Sequence, residues 1–272
     1  MICTLGDVLL DVVVHARRPL APGADTPVDT RLASGGQAAN VASWVAALGG
    51  AARVIAKRAD DEAGRLVRSL LERRGVELAG PVVDGRTGVV VAFVAPDGER
   101  SMATDRGVSP ELRADELEPA FFAGSTWLHV SGYSLLAEPI AEAALAGARL
   151  ARAEGARVSV DLSSWSTIRE HGPGRFRARV EELAPDAVFA NEPEWEIVGA
   201  AYALAETAVV KRGSRGVSVR TAAGVEEHAS LGAEVVDTTG AGDALAAGFL
   251  VGGIGLGLEA SARCVAQLGA AP

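Results

Sequence analysis

Short apolar runs rich in β-branched residues alternate along the chain with longer segments whose apolar positions recur every three to four residues. The first pattern is typical of buried strands, and the second is typical of helices with one buried face. The clearest strand–helix pairs cover residues 51–56 and 61–74, 127–130 and 139–155, and 157–161 and 176–183. This alternation predicts right-handed βαβ units around a mostly parallel sheet.

Two segments, residues 13–32 and 87–105, interrupt this alternation. In the second segment the alternating run Val89–Ala95 leads to a turn at 96–99 and a returning stretch, which predicts a β-hairpin. The chain has 272 residues, of which 49% are hydrophobic, so it can bury one sizeable core. We therefore expect a single domain over residues 1–272 that carries a smaller β-structure.

The most informative motif is Asp237-Thr238-Thr239-Gly240-Ala241-Gly242-Asp243, which follows Val235-Val236 and precedes the apolar run 244–250. The valines predict the end of a strand and the apolar run predicts a helix. The motif would then lie at a helix N-terminus, where N–H groups and the helix dipole hold anions. A carboxylate at Asp243 would repel a bound phosphate, but it suits a base that deprotonates a hydroxyl attacking that phosphate.

Two other interpretations of this motif remain open from the residues alone. Gly240–Asp243 can be a tight turn whose aspartate caps the helix. The glycines also resemble a dinucleotide-binding loop, but Leu245 occupies the position of the third glycine, and Asp243 would face the pyrophosphate. The dinucleotide interpretation therefore fits poorly.

A second glycine-rich motif, Gly35-Gly36-Gln37-Ala38-Ala39-Asn40, lies nearer the start of the chain. Small and apolar residues follow it as far as Leu48, and Gly49 is a natural C-terminal cap, so the paired glycines open a helix. Asn40 lies one turn into that helix, on the side of Gly36. Its amide can donate and accept hydrogen bonds above the glycines, which suits a polyhydroxylated ligand.

Together, the two motifs resemble the paired signatures of the ribokinase-like, or PfkB, family of carbohydrate kinases. The resemblance extends along nearly the whole chain and implies an α/β fold, a three-layer α/β/α arrangement with a small β-sheet lid formed by residues 13–32 and 87–105. It also implies ATP and Mg²⁺ as cofactors and Asp243 as the catalytic base. The positions that match the family's substrate contacts are Asp11, Gly35, Gly36, Asn40 and Arg106.

The resemblance also implies a nucleotide site. The positions that match its nucleotide and phosphate contacts are Asn191, Glu194, Lys211, Gly213, Gly240, Ala241 and Gly242. Asn191-Glu192-Pro193-Glu194 resembles the family's Asn-x-x-Glu motif, in which the glutamate organises Mg²⁺ through water. Asp237 and Thr239 match positions that hold a monovalent cation in many relatives, so potassium is a hypothesis for a further cofactor.

Two segments depart from the family. Residues 158–165 carry Ser163 and Ser164 where many sugar kinases have an Asp-x-Asn-x-Arg pattern, so substrate assignments based on that arginine do not transfer. The adenine-side helix, residues 258–266, lacks the asparagine that some relatives carry, which leaves the nucleotide preference open.

Composition narrows the partners and the location. The net charge is −9 and the arginines are scattered, whereas nucleic-acid binding requires clustered cations. Two cysteines give no disulfide framework, and the longest uncharged stretch, 244–258, is too short to span a membrane. The first predicted strand begins at Ile2, without a signal peptide before it. We expect a cytoplasmic protein with neither nucleic acid nor membrane as a partner.

These features predict an ATP-dependent kinase that phosphorylates a hydroxyl of a sugar or sugar-like substrate. One alternative is a nucleoside kinase of the same family, including one for a C-nucleoside, and another is a non-catalytic sugar- or nucleotide-binding protein. Aromatic residues form only 4% of the chain, and Trp44, Phe93 and Trp165 are those expected near the site, which favours a sugar. Intact Asp243 argues against the non-catalytic alternative. Exposed lid strands need cover, so a homodimer through the lid is expected.

Overall fold

The computed structural model describes residues 1–96, 100–199 and 204–272. Its strands, numbered β1 to β15 in chain order, are Ile2–Leu5, Leu9–Ala16, Val28–Gly35, Ala52–Ile55, Arg58–Ala59, Val76–Ala79, Val82–Val83, Thr87–Val94, Arg100–Gly107, Trp127–Ser131, Arg157–Asp161, Ala187–Asn191, Thr207–Lys211, Val217–Thr221 and Gly224–His228. Its α-helices, numbered α1 to α8, are Gln37–Ala47, Glu62–Arg73, Ile140–Ala153, Trp165–His171, Pro173–Leu183, Glu192–Ile197, Ala241–Gly252 and Ile254–Val265.

The central sheet has the strand order β15-β14-β13-β12-β11-β10-β1-β4-β6. The strands from β13 to β6 are parallel, and β14 and β15 are antiparallel additions at one edge. From β1 the chain proceeds outward to β6, then returns to β10 beside β1 and proceeds to the other edge. The strand order therefore reverses between β1 and β10, and ligands bind outside the carboxyl ends of strands at such a switch point.

Helices cover both faces of this sheet. On one face, Trp44 of α1, Leu71 of α2 and Ala247 of α7 pack in one apolar cluster with sheet residues such as Val54. On the other face, α3 to α6 contribute residues such as Phe176 to a second cluster. Strands that are buried on both faces read as continuous apolar runs, which explains the pattern in the sequence. The predicted three-layer α/β/α fold is confirmed.

A smaller sheet has the strand order β3-β2-β8-β9, and it begins close to the end of β1 because only a few residues separate β1 from β2. The pair β2–β8 is parallel, and the pairs β2–β3 and β8–β9 are antiparallel. The predicted smaller sheet is therefore present, built from longer strands than 13–32 and 87–105 suggest. Its action as a lid and the single-domain assignment stay predictions. Of the predicted hairpin turn at 96–99, residues 97–99 lie outside the described residues.

The prediction of a strand ending at Val235-Val236 is wrong. Both side chains are more than half exposed, and the Val236 N–H donates to the Val265 carbonyl of α8 at 2.7 Å instead of to a strand. Residues 229–240, between β15 and α7, contain no strand. β-Branched residues indicated a strand here, but that preference depends on a neighbouring strand to pair with. Along the described ranges, no helix has both the length and the apolar character that a membrane span requires.

Candidate active site

The turn before α7 has the backbone geometry that an anion-binding site requires. Gly240 caps the helix with φ 77°, a left-handed conformation that favours glycine, and a Cβ at this position would lie 2.6 Å from Ala270. Ala244 donates to the Gly240 carbonyl, so the N–H groups of Gly242 and Asp243 precede the first hydrogen bond of the helix. A Cβ at Gly242 would lie 3.1 Å from the Lys211 Nζ. Gly240 therefore allows close packing against Ala270, and Gly242 leaves the Lys211 ammonium group accessible.

Asp243 and Asn40, which are far apart in sequence, meet at this helix N-terminus. Asn40 Nδ2 donates to Asp243 Oδ2 at 2.9 Å. Burial raises the pKa of Asp243 to about 7, and the Asn40 amide opposes that rise. Asn40 is itself 7% exposed, and its Oδ1 has no hydrogen-bond partner among the residues the structure describes. A buried acceptor without a donor is costly, so this oxygen is placed to accept a hydrogen bond from a ligand hydroxyl.

A buried ion pair lies next to the turn. Lys211, the last residue of β13, donates to Asp161 Oδ2 at 2.5 Å, and Asp161 is 1% exposed at the end of β11. Although burial favours the neutral amine, Asp161 and Glu194 together raise the pKa of Lys211. The lysine therefore stays charged beside Gly242, where a phosphate would bind.

Asn191 and Glu194 form a reciprocal cap at the start of α6. Both Glu194 oxygens accept hydrogen bonds from Asn191, one from its backbone N–H and one from its side-chain amide, and Asn191 Oδ1 accepts from the Glu194 N–H. Glu194 is 3% exposed, and burial raises the pKa of its carboxyl group. Each oxygen still has a free lone pair, and Asp161 adds a second carboxylate nearby. This donor set fits a hard cation that keeps most of its water ligands.

On the substrate side, Asp11 lies directly over the glycine pair. A Cβ at Gly35 would lie 1.8 Å from Asp11 Oδ1. Gly36 has φ 89°, and a Cβ at this position would lie 2.3 Å from the Asp7 carbonyl oxygen. Burial raises the pKa of Asp11 to about 6. Within the described ranges no protein donor reaches the Asp11 carboxylate, so substrate hydroxyls would supply its hydrogen bonds.

Arg106 lies within β9 rather than after the hairpin, and its guanidinium is engaged. It donates two hydrogen bonds to Asp7, at 2.8 and 2.9 Å, and a third to the Tyr133 carbonyl at 3.2 Å. Asp7, which resembles a turn residue in the sequence, is 5% exposed and forms one half of this ion pair. The pair joins the smaller sheet to the end of β1. In this structure Arg106 therefore braces the substrate side through Asp7.

Hydrogen bonds of Asp237 and Thr239 stabilise the turn before α7. Asp237 Oδ1 accepts from the Thr239 backbone N–H at 2.8 Å and from its hydroxyl at 2.5 Å. Asp237 Oδ2 accepts from the Gly269 N–H at 2.9 Å, which ties the turn to the segment after α8. The oxygens at the predicted cation positions thus lie in one ordered loop.

A pocket of about 460 Å³ opens beside the turn, within the size range of ligand sites. Its lining is mostly small and apolar, with hydroxyl groups at intervals. Among its residues are Lys211, Gly213, Val235, Ala241, Leu258 and Ser261. The segment that fails to form a strand at 235–236 thus supplies part of a pocket wall. This shape and lining suit the base and ribose of a nucleotide whose phosphates reach the turn.

Sequence reasoning missed Asp161, Gln37 and the serines that hold Gln37 (Ser131 and Ser163). Asp161 had one usable signal, since it ends a buried strand, and the carboxyl ends of parallel strands meet at one edge of the sheet. Of the aromatic residues expected near the site, Trp44 is 1% exposed and donates to the Ala270 carbonyl from inside the core, so it presents no surface to a ligand.

Comparison with known proteins agrees with this geometry. The sequence profile described as pfkB family carbohydrate kinase matches residues 1–271. An ATP-dependent ribose-1-phosphate kinase from Halopiger xanaduensis is 34% identical over 260 residues, which cover 92% of this chain and 83% of the relative. Fructokinase-1 of Zea mays is 31% identical over 273 residues, with coverage of 92% and 82%.

Among solved structures, adenosine kinase from Sinorhizobium meliloti matches with a TM-score of 0.87 at 28% identity, covering 100% of this chain and 95% of that one. The family match spans both glycine motifs and the strands between them. The chain therefore belongs to the pfkB family of carbohydrate kinases, and it is a phosphotransferase with a hydroxyl group as acceptor.

Proposed function

We propose that the protein is an ATP-dependent kinase that transfers the γ-phosphoryl group to a hydroxyl of a sugar or sugar-like substrate, with Asp243 as the base. The observation that carries this proposal is the pairing of Asp243 with Asn40, whose Oδ1 is a buried acceptor without a partner among the described residues. A substrate hydroxyl that donates to that oxygen would bring a neighbouring hydroxyl, whose own proton can pass to Asp243, beside the carboxylate and in front of the N–H groups of α7. Base, acceptor and anion site thus converge on one point.

The reaction follows from these positions. Asp11 and Asn40 hold substrate hydroxyls above Gly35-Gly36. As the substrate oxygen bonds to the γ-phosphorus, the bond to the β-phosphate oxygen breaks and ADP leaves, while the hydroxyl proton passes to Asp243. The N–H groups at Gly242 and Asp243 and the Lys211 ammonium stabilise the charge on the transferred group.

Glu194 would hold Mg²⁺ through water, with Asp161 as a second carboxylate nearby. The ion, when bound to the phosphates, would supply charge neutralisation. Asp237 and Thr239 are proposed to hold a potassium ion, whose charge would reinforce the anion site.

Two features favour an uncharged sugar. Arg106, the cation that the sequence places on the substrate side, is neutralised by Asp7, which disfavours a substrate that already carries a phosphate. Trp44 is buried in the core and offers no shelf for a nucleoside base. The second candidate is a nucleoside kinase, favoured by Trp165, which is 41% exposed at the start of α4, and by the similarity to an adenosine kinase.

ADP release from ATP tests this proposal against a panel of pentoses, hexoses, ribose 1-phosphate and nucleosides. We expect turnover of a neutral sugar that depends on Mg²⁺ and rises when potassium replaces a bulky organic cation. Turnover of nucleosides alone would establish the second candidate. Equal rates at all potassium concentrations would remove the monovalent site, and detectable sugar binding without any ADP release would establish a non-catalytic protein.

A homodimer through the smaller sheet forms part of the proposal. Leu32 and Met102, on β3 and β9, are half exposed, and these strands are the edges of that sheet. A second copy would cover them and their unpaired backbone groups. Sedimentation should give a dimer that Met102→Asp weakens, with the exposed Val225→Asp as a control outside the smaller sheet; a monomer at all concentrations would contradict it.

Cytoplasmic location stays a prediction that cell fractionation would check.

A further inference from the structure

Gln37, the first residue of α1, contacts two other parts of the domain through its side-chain amide. Its Oε1 lies 2.6 Å from the Ser131 hydroxyl at the end of β10 and 2.7 Å from the Ser163 hydroxyl just after β11. The opposite end of the amide is directed towards Asp243 and lowers the pKa of its carboxyl group. The reversed amide would place an acceptor against the carboxylate. The orientation with Nε2 towards Asp243 is therefore the favourable one.

Ser163 holds its position at a conformational cost. Its φ is 75°, a left-handed conformation that is unusual for a residue other than glycine. In this conformation its N–H donates to Asp161 Oδ1 at 3.0 Å while its hydroxyl contacts Gln37. Ser163 also lies where many sugar kinases carry the asparagine of an Asp-x-Asn-x-Arg pattern. In this conformation Ser163 links the end of β11 to α1.

Two amides therefore act on the base: Asn40 donates a hydrogen bond to it at 2.9 Å, and Gln37 lowers its pKa. Burial raises the pKa of Asp243, and both amides lower it. The charged and titratable groups around it are Asp161, whose charge raises the pKa, Lys211, whose charge lowers it, and the neutral Tyr133 phenol and Cys264 thiol. The two amides thus favour the charged carboxylate.

We propose that Gln37 is a positioning residue for the base: fixed by the Ser131 and Ser163 hydroxyls, its amide holds the Asp243 carboxylate towards the substrate hydroxyl. Asn40 alone fixes one oxygen, Oδ2, and would leave the carboxylate free to rotate about it. This inference rests on the proposed function, since it assigns Gln37 a task in the same phosphoryl transfer.

Kinetics across the neutral pH range test the assignment in Gln37→Leu, Gln37→Glu and Ser131→Ala. Gln37→Leu keeps the size of the side chain but removes its amide, so kcat/KM should fall roughly 10-fold or more. The acid limb of the pH profile of kcat/KM should move up by roughly half a pH unit. Gln37→Glu adds a negative charge and should move the limb further, whereas Ser131→Ala should have a smaller effect. ATP affinity should stay unchanged. A fall in kcat/KM with an unmoved acid limb would reduce Gln37 to a structural residue and overturn the inference.

A titration of the Asp243 carboxyl carbon by NMR gives a readout that needs no turnover. Asp243→Asn identifies the resonance, and the midpoint in Gln37→Leu should lie above that of the wild type by roughly half a pH unit. An unchanged midpoint overturns the role of Gln37 even in an active kinase. A shifted midpoint in a protein that phosphorylates nothing on the panel supports the Gln37–Asp243 coupling and instead contradicts the proposed function.

Discussion

Replacing Asp243 by asparagine should lower kcat/KM by roughly 10²–10⁴-fold, because the amide keeps the shape of the side chain but cannot accept the hydroxyl proton. ADP release measured at saturating ATP checks this, and binding of ATP should persist because the N–H groups of α7 remain. Asp115→Asn, on an exposed aspartate paired with Arg113, is the matched control and should leave activity unchanged. Turnover that survives in Asp243→Asn would remove Asp243 from its role as base.

The same variant should be more stable than the wild type at pH 8. The pKa of Asp243 is about 7 in the folded protein against an ordinary 3.8, so the folded state binds the proton more tightly than the unfolded chain. The stabilisation that this tightly bound proton provides is complete at a pH below the ordinary pKa of 3.8, and it is lost as the pH rises through the folded-state pKa of about 7. Asparagine cannot ionise, so the variant avoids this loss. Its free energy of unfolding, measured with urea at pH 8, should exceed that of the wild type by about 1–3 kcal/mol. An inactive variant that is also less stable would mean that the substitution damaged the fold.

The features that the sequence could predict are local ones. The glycine pair at 35–36 and the turn at 240–242 carry their conformational requirement in the residues themselves, and the helices that follow begin where expected. The contacts that complete the site are not local. Asp161 meets Lys211 because β11 and β13 end at the same edge of the central sheet, and Asp7 meets Arg106 because β9 of the smaller sheet lies against the end of β1. No spacing in the sequence encodes such partners.

The buried polar groups form one connected set around the base. Asp161 touches both Lys211 and the Ser163 backbone, and Ser163 leads through Gln37 to Asp243. Burying charges in this way contributes little net stability, because desolvation offsets much of the attraction. The arrangement instead fixes where the charges stand before the nucleotide arrives, which is what electrostatic catalysis requires.

Replacing Lys211 by methionine should have the largest effect on stability of any single change at this site. The Asp161 side chain is 2% exposed and would lose its only cationic partner among the described residues, leaving an uncompensated buried charge. The free energy of unfolding, measured with urea at pH 7, should fall by about 3–5 kcal/mol. Because the ammonium also lies beside Gly242, the KM for ATP should rise in the protein that remains folded.

The double variant Asp161→Asn/Lys211→Met separates these two effects. It removes both charges, so most of the lost stability should return, while the affinity for ATP stays low because the ammonium beside the phosphate site is still missing. Arg113→Met, which breaks an exposed pair with Asp115, is the control and should leave the unfolding curve unchanged. If Lys211→Met and the double variant were equally destabilised, the lysine would act through the packing of its stem. If both bound ATP as the wild type does, Lys211 would serve the fold alone.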